Sequence, residues 1–220
     1  MSAPSYTLRY FPVSGLAEAT RLMLTAANVE WTEEHPEWPA AKPDQPFGRL
    51  PVLVEKSADG GADFVISESG TIERYIARQH GFLPADPKQA ALQEQLHDRL
   101  IDVNIAFYVQ AFASPEKKEE KKADFENILA RFIKVQTATL EQNGNTGYLF
   151  GDSFSYADAV SYGIFKSLLI GAVKYQADIS DFVKSKLTPA IIKNLTTTEA
   201  SPALKAHTEK ADSVTAVLLA

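Results

Sequence analysis

The chain has no cysteine. That excludes a disulfide framework, an iron–sulfur centre and a cysteine nucleophile, so any thiol in its chemistry belongs to a ligand. Histidine is nearly as scarce. His35, His80, His97 and His207 are scattered, none at metal-ligand spacing with another histidine or an obvious carboxylate cluster, and no metal site is expected. No apolar run approaches the roughly 18 residues of a membrane span. The opening Met1-Ser-Ala-Pro-Ser5 carries neither a basic stretch nor an apolar one, so a cytoplasmic protein is expected rather than a secreted one. Positive charge is in deficit too. A net charge of −6 argues against a nucleic-acid backbone as partner.

What is present is apolar sequence in two different periods. The chain has 220 residues, 45% of them hydrophobic, enough for one large domain or two small ones. Residues 6–11 alternate like a strand, and Pro12 ends them. A helix is expected over 16–28 and a short strand over 29–33. The stretch from His35 to Pro46 holds four prolines and should be irregular. Pro51–Glu55 and Asp63–Ser67 read as a β-hairpin joined through Ala58-Asp-Gly-Gly61, and Ser69–Gln79 as a helix stopped by Gly81.

Beyond about residue 82 the period becomes helical. Leu92, Leu96, Leu100, Val103, Phe107 and Ala111 mark one long amphipathic helix, and Phe125 to Leu140 another. Lys- and Glu-rich 116–122 between them reads as a solvated face. Ser155-Tyr-Ala-Asp158 has capping-box spacing and opens an apolar helix from Ala159 to Val173. Two further helices are expected, over 179–195 and 201–215. The expected division is an α/β domain over 1–82, a linker over 83–90 and an all-helical domain over 91–220.

Several residues carry chemistry. Trp38 offers an indole N–H, which only donates, and Lys42 a flexible point charge. Alone, the first is an ordinary packing residue and the second a solvated one. Leu50-Pro51 opens a strand where proline's missing N–H is tolerated. Glu68 and Ser69 sit where a strand hands over to a helix, whose unpaired N–H groups favour a carboxylate; Ser69 could equally be no more than a cap. Tyr10 ends a strand just before a helix, and could be either a core residue or a hydroxyl donor.

Taken together, Tyr10-Phe-Pro-Val13, the run from Trp38 to Leu53 and Ser67-Glu-Ser-Gly70 resemble the glutathione site of the cytosolic glutathione transferases. The start looks like the pi class and the Trp38 run like the sigma class, both tyrosine-type dimers with a thioredoxin-like domain and a helical domain. The resemblance implies a glutathione S-transferase that uses glutathione as co-substrate, holds no permanent cofactor, and attacks hydrophobic electrophiles with the glutathione thiolate. Other roles in such a fold are a glutathione-dependent isomerase or peroxidase, or a catalytically silent crystallin-like or scaffold relative.

Residue by residue, the resemblance implies Tyr10 as the hydroxyl that stabilises the thiolate, with Trp38, Lys42, Arg49, Leu50, Pro51, Glu68 and Ser69 around glutathione. The bond before Pro51 is expected to be cis. Asp102 matches an aspartate that reaches glutathione from the partner subunit of a homodimer, and Phe47 the aromatic key of that interface. Phe11, Val13, Phe107, Tyr108 and Phe112 fall where the electrophile pocket is built. One departure stands out: where an arginine is frequent, this chain has Ser14, which removes a cation near the thiol. Serine-type relatives hold their catalytic hydroxyl there, so Ser14 competes with Tyr10.

Overall fold

The computed structural model describes residues 4–57, 59–172, 176–210 and 212–219. The first strand, β1 (Ser5–Arg9), stops one residue before Tyr10, and a short 3₁₀ turn at Gly15–Ala17 leads into α1 (Glu18–Ala26). The strand β2 (Glu30–Glu34) pairs parallel with β1. After the proline-rich stretch come β3 (Val52–Glu55), β4 (Phe64–Ser67) and α2 (Ser69–Gln79). The sheet order is β2-β1-β3-β4, with β3 antiparallel to both neighbours. This is the expected α/β domain. The alternation expected of 6–11 is not expressed as one wet face, because Tyr6, Thr7 and Leu8 are all buried. Of the residues expected to join β3 to β4, Ala58 lies outside the described ones.

The helical part begins with α3 (Pro87–Ala111), which starts inside the stretch expected to be a linker. The reason is local. The Asp86 carboxylate accepts from the Lys88 and Gln89 N–H groups at 3.0 and 2.9 Å, and proline is tolerated in a first helical turn. Next come α4 (Lys118–Gln142) and α5 (Tyr156–Lys166), then a π turn over Ser167–Gly171. The expected helix over 159–173 is therefore two pieces, and Val173 lies outside the described residues. The expected helix over 179–195 also divides, into α6 (Ala177–Lys186) and α7 (Pro189–Glu199). Pro189 disfavours helical backbone at Thr188, whose hydroxyl instead caps α7. The stretch expected as one helix over 201–215 divides instead into a 3₁₀ turn at Pro202–Leu204, α8 (Lys205–Thr208) and the start of α9 (Val214–Leu219). Among the described residues no helix is long and apolar enough to cross a membrane.

The helix that joins the two parts is α5. Each of its residues is buried, and it packs against both α1 and α3. A helix buried on all sides belongs in a core. Its start is fixed by the capping box. The Asp158 carboxylate, fully buried, accepts from the Ser155 N–H at 3.0 Å and the Ser155 hydroxyl at 2.7 Å. It also accepts from the Leu149 N–H and the Asn194 amide, both at 2.8 Å. One carboxylate thus ties the loop before α5, α5 itself and α7 together. Burial pushes its pKa up to about 6, against the pull of the bonds from Ser155, Leu149 and Asn194.

Asp158→Ala would strand the Leu149 and Asn194 donors. The expected cost is about 3 kcal/mol at pH 7. The carboxyl binds its proton more tightly folded than unfolded, so the stability it contributes is largest below its unfolded pKa and is lost as the pH rises through 6. The difference between wild type and variant in urea unfolding should be about 2 kcal/mol larger at pH 4.5 than at pH 7. A difference that grows with pH would contradict this.

Candidate active site

Three chain segments end together at one edge of the sheet. Arg9 at the end of β1 pairs with Val52 at the start of β3, and Val52 pairs with Ser67 at the end of β4. The residues just beyond this row are Tyr10, Leu50-Pro51 and Glu68-Ser69. Strand register alone therefore brings together side chains that are far apart in sequence. The Leu50–Pro51 bond is cis, as is Trp38–Pro39.

Tyr10 is 7% exposed, and its hydroxyl accepts a hydrogen bond from the Leu16 N–H at 3.0 Å. A bond into the oxygen leaves the phenolic proton free to be donated elsewhere. Burial pushes the Tyr10 pKa up, only partly offset by the Leu16 N–H and the Arg21 charge, so the group stays a phenol at neutral pH. The close approach of Leu16 depends on Gly15. Its φ is +43°, a region side chains rarely adopt, and a Cβ there would lie 2.5 Å from the Tyr10 oxygen.

The loop between Tyr10 and Gly15 is held by one guanidinium. Arg21 donates to the carbonyls of Val13 at 2.9 Å, Ser14 at 3.0 Å and Phe11 at 3.2 Å. Its Nε meets both Glu33 oxygens at 3.1 Å, and Nη1 meets Glu18 at 3.2 Å. Arginine suits this because its donors lie in a rigid planar fork.

At the start of α2, Glu68 has φ +71°, unusual for a residue with a side chain. Its carbonyl takes the N–H groups of Thr71 and Ile72 at 3.0 and 2.9 Å. The N–H groups of Ser69 and Gly70 lead the helix, where the backbone dipole favours an anion. Trp38 packs edge-on against Phe11, with ring centres 5.5 Å apart, and Phe11 in turn meets Tyr10 at 5.4 Å. Lys42 and Arg49 are exposed on the loop before β3. Asp102 lies on α3, about half exposed and paired with Arg99 at 2.9 Å within this chain. Phe47 is 82% exposed with φ +53°, a strained and solvated aromatic.

A cavity of about 420 Å³ opens between the two parts of the chain. Val13, Ser14, Phe107 and Tyr108 line it, together with Trp31 and Ile170. Two residues expected in that pocket do not line it. Phe11 is engaged by Trp38 and Tyr10, and Phe112 caps α3, 69% exposed and stacked on Tyr108 with centres 6.4 Å apart.

The charged part of the cavity lining was not legible in advance. Glu18, Arg21, Lys166 and His207 all line it. The Glu18 carboxylate accepts from Lys166 at 2.7 Å and meets His207 Nε2 at 2.8 Å. Burial alone would raise the Glu18 pKa, but the His207 hydrogen bond and the Lys166 charge carry it down to about 2. The one available sequence signal was Lys166, a cation inside an otherwise apolar helical run. Its partners are far away in sequence.

Comparison with known proteins agrees with this geometry. Residues 6–78 match the family model for the glutathione S-transferase N-terminal domain, and residues 101–211 that for the glutathione S-transferase C-terminal domain. Glutathione S-transferase P 2 of Bufo bufo is 35% identical over 161 residues, 70% of this chain and 72% of that protein. Hematopoietic prostaglandin D synthase of Gallus gallus is 28% identical over 212 residues, 94% of this chain and 96% of that one. The structure of monomeric Na-GST-3, a glutathione S-transferase of the hookworm Necator americanus, superposes with a TM-score of 0.73 and 27% identity, covering 96% of this chain and 98% of its own. The chain belongs to the glutathione S-transferase family and is an enzyme of glutathione conjugation.

Proposed function

We propose that Tyr10 activates the glutathione thiol by donating its phenolic proton as a hydrogen bond to sulfur. The observation that carries this is the Leu16 N–H on the Tyr10 oxygen at 3.0 Å, which fixes the oxygen as an acceptor and leaves its proton to be donated. A free cysteinyl thiol has a pKa of about 8.5, so only a few per cent is thiolate at pH 7. A hydrogen bond to the charged form favours it, and one such bond is worth about 1.5–3 kcal/mol, or one to two pKa units. The thiolate then attacks a soft electrophile in the cavity lined by Val13, Phe107 and Tyr108.

Glutathione is a peptide with two carboxylates and an amine, and the proposed contacts follow from that. Leu50, ahead of the cis Pro51, pairs through its backbone with the cysteinyl unit. Trp38, Lys42 and Arg49 take the glycyl carboxylate. The Ser69 hydroxyl and N–H take the γ-glutamyl carboxylate, and Glu68 faces the amine. Asp102 of a second copy would complete that end in a homodimer, with Phe47 inserted into the partner. Burying an aromatic that is now 82% exposed favours such a contact by about 2–3 kcal/mol. The hookworm relative is described as monomeric, so the oligomeric state is a direct test. Glutathione is abundant in reducing compartments, which supports a cytoplasmic location. Glutathione-dependent isomerisation is the second reading, favoured by the likeness to the chicken synthase along nearly the whole chain.

Tyr10→Phe should raise the pKa of the bound thiol by one unit or more, read from the pH–rate profile, with the dissociation constant for glutathione little changed. An unmoved profile, together with loss of rate in Ser14→Ala, would transfer the role to Ser14. Gly15→Ala places a methyl 2.5 Å from the Tyr10 oxygen and must displace it, so it should lower kcat nearly as far as Tyr10→Phe does. Full activity in Gly15→Ala would show that the hydroxyl position is unimportant. Phe47→Ser should raise the dimer dissociation constant and weaken glutathione binding together, measured by sedimentation and calorimetry. A fully active wild-type monomer would refute the dimer.

A further inference from the structure

Outside the cavity, the start of α2 rests on a buried histidine to which the proposed chemistry gives no role. A Cβ on Gly70, in the first turn of α2, would lie 2.8 Å from His97 Cε1, so the ring packs directly against that turn. His97 comes from α3 and is 3% exposed. Its Nε2 lies 2.9 Å from the Glu73 carboxylate and its Nδ1 3.1 Å from the Asp98 carboxylate. The Glu73 contact is a close approach of charges without hydrogen-bond alignment. A neutral imidazole keeps a lone pair on one ring nitrogen. Here that lone pair would face a carboxylate whichever nitrogen carried it. The imidazolium, with an N–H on each side, is the form that this position favours.

The surrounding charges favour the same form. Three carboxylates, Glu73 of α2 with Glu94 and Asp98 of α3, meet two guanidiniums, Arg74 and Arg78. A protonated His97 is the third cation. Arg74 donates to Asp98, and its Nη1 lies 3.5 Å from the Gly70 carbonyl. From α5 the Tyr156 ring stacks on His97 with centres 5.8 Å apart, and burial keeps that group a phenol. Burial by itself would lower the His97 pKa, and Arg74 opposes its charge, but the Glu73 and Asp98 carboxylates carry it up. Burial pushes the Glu73 pKa up as well, so the pair holds one proton between them tightly.

We propose that His97 is a positioning residue for glutathione: its imidazolium, clamped between Glu73 and Asp98, sets the first turn of α2 and places a positive charge behind the N–H groups that take the γ-glutamyl carboxylate, a role that rests on the reading of the α2 start as that carboxylate's site. A helix start already favours an anion, and a cation packed against its first turn adds to that preference. Once the proton leaves, Glu73 is buried beside a neutral ring, and the turn loses both the charge and the clamp. The folded pKa of His97 is raised, so the protonated form is complete below the ordinary histidine value and is lost as the pH rises through the folded one. Glutathione therefore binds more weakly at higher pH. By reciprocity, a bound γ-glutamyl carboxylate raises the His97 pKa.

S-Methylglutathione tests this, since it has no thiol to titrate. Its dissociation constant in the wild type, measured by calorimetry, should rise severalfold between about pH 6.5 and about pH 8.5, the range above the ordinary histidine pKa. His97→Gln should bind at the lower pH as weakly as the wild type does at the higher one, with no further rise, and its KM for glutathione should rise more than its kcat falls. NMR of histidine-labelled protein should show the His97 ring titrating about half a unit or more higher with ligand than without it, a severalfold effect by the same linkage. A dissociation constant flat with pH in the wild type, or a His97 titration that the ligand leaves unmoved, overturns the role of His97 while leaving glutathione binding intact. Should His97→Gln fail to fold, the wild-type calorimetry and titration decide, the His97 resonance being assigned by elimination from His35→Gln, His80→Gln and His207→Gln. No binding of S-methylglutathione at any pH, or an affinity that Ser69→Ala leaves at the wild-type value, would overturn the reading of the α2 start and the role of His97 with it.

Discussion

The Arg21 guanidinium is the interaction on which the rest of the site depends. It faces three backbone carbonyls and two carboxylates at once, and the loop it holds leads from Tyr10 to the Leu16 N–H that fixes the Tyr10 hydroxyl. A five-residue loop has no internal regular structure to set its shape. A single rigid donor fork supplies that shape from the side, and Glu33 and Glu18 keep the fork itself from turning. Burying these charges is expensive, and a well-packed apolar cluster would be as stable. What the charges add is direction: hydrogen bonds specify where each carbonyl points, which dispersion contacts do not.

The same cluster joins the two parts of the chain. Glu18 belongs to α1 and Lys166 to α5, so the ion pair between them crosses from the α/β part to the helical part. α5 carries its polar residues near its two ends, Asp158 at the start and Lys166 at the finish, with Ser161 between. Asp158 fixes how α5 enters the core and Lys166 fixes what it meets on leaving. The cavity lies at that exit, between elements of both parts. Its shape is a property of the interface between them and of neither alone.

The proposed glutathione side of the site is organised differently. There the sheet does the positioning, because Arg9, Val52 and Ser67 lie in one row of the ladder. Each strand delivers its next residues to the same edge. The helix that follows β4 contributes unpaired N–H groups rather than a side-chain cage. A short polar peptide suits that supply, since backbone groups recognise backbone and a helix start recognises a carboxylate. The proposed pocket for the apolar partner is built instead from α3 and the π turn, which offer side chains.

Much of this was readable locally. The alternation before Pro12 marked β1, although the strand ends at Arg9, the spacing of Ser155 and Asp158 marked the start of α5, and the shift from period 2 to period 3.6 marked the change to helices alone after α2. These signals act over a few residues, through steric exclusion, capping and amphipathic burial, so a linear sequence states them. Boundaries set by a cap followed by a proline were harder, as at Asp86-Pro87, which opens α3 inside the expected linker, and at Thr188-Pro189, which opens α7 where one helix was expected. Which hydroxyl accepts from Leu16, and that Glu18 would meet Lys166 across 148 residues of sequence and His207 across 189, were settled only by folding. Each of those contacts joins segments that carry no mutual signal in sequence. Long-range electrostatic partners are chosen by whichever charges the packed core leaves facing one another, and that choice exists only in three dimensions.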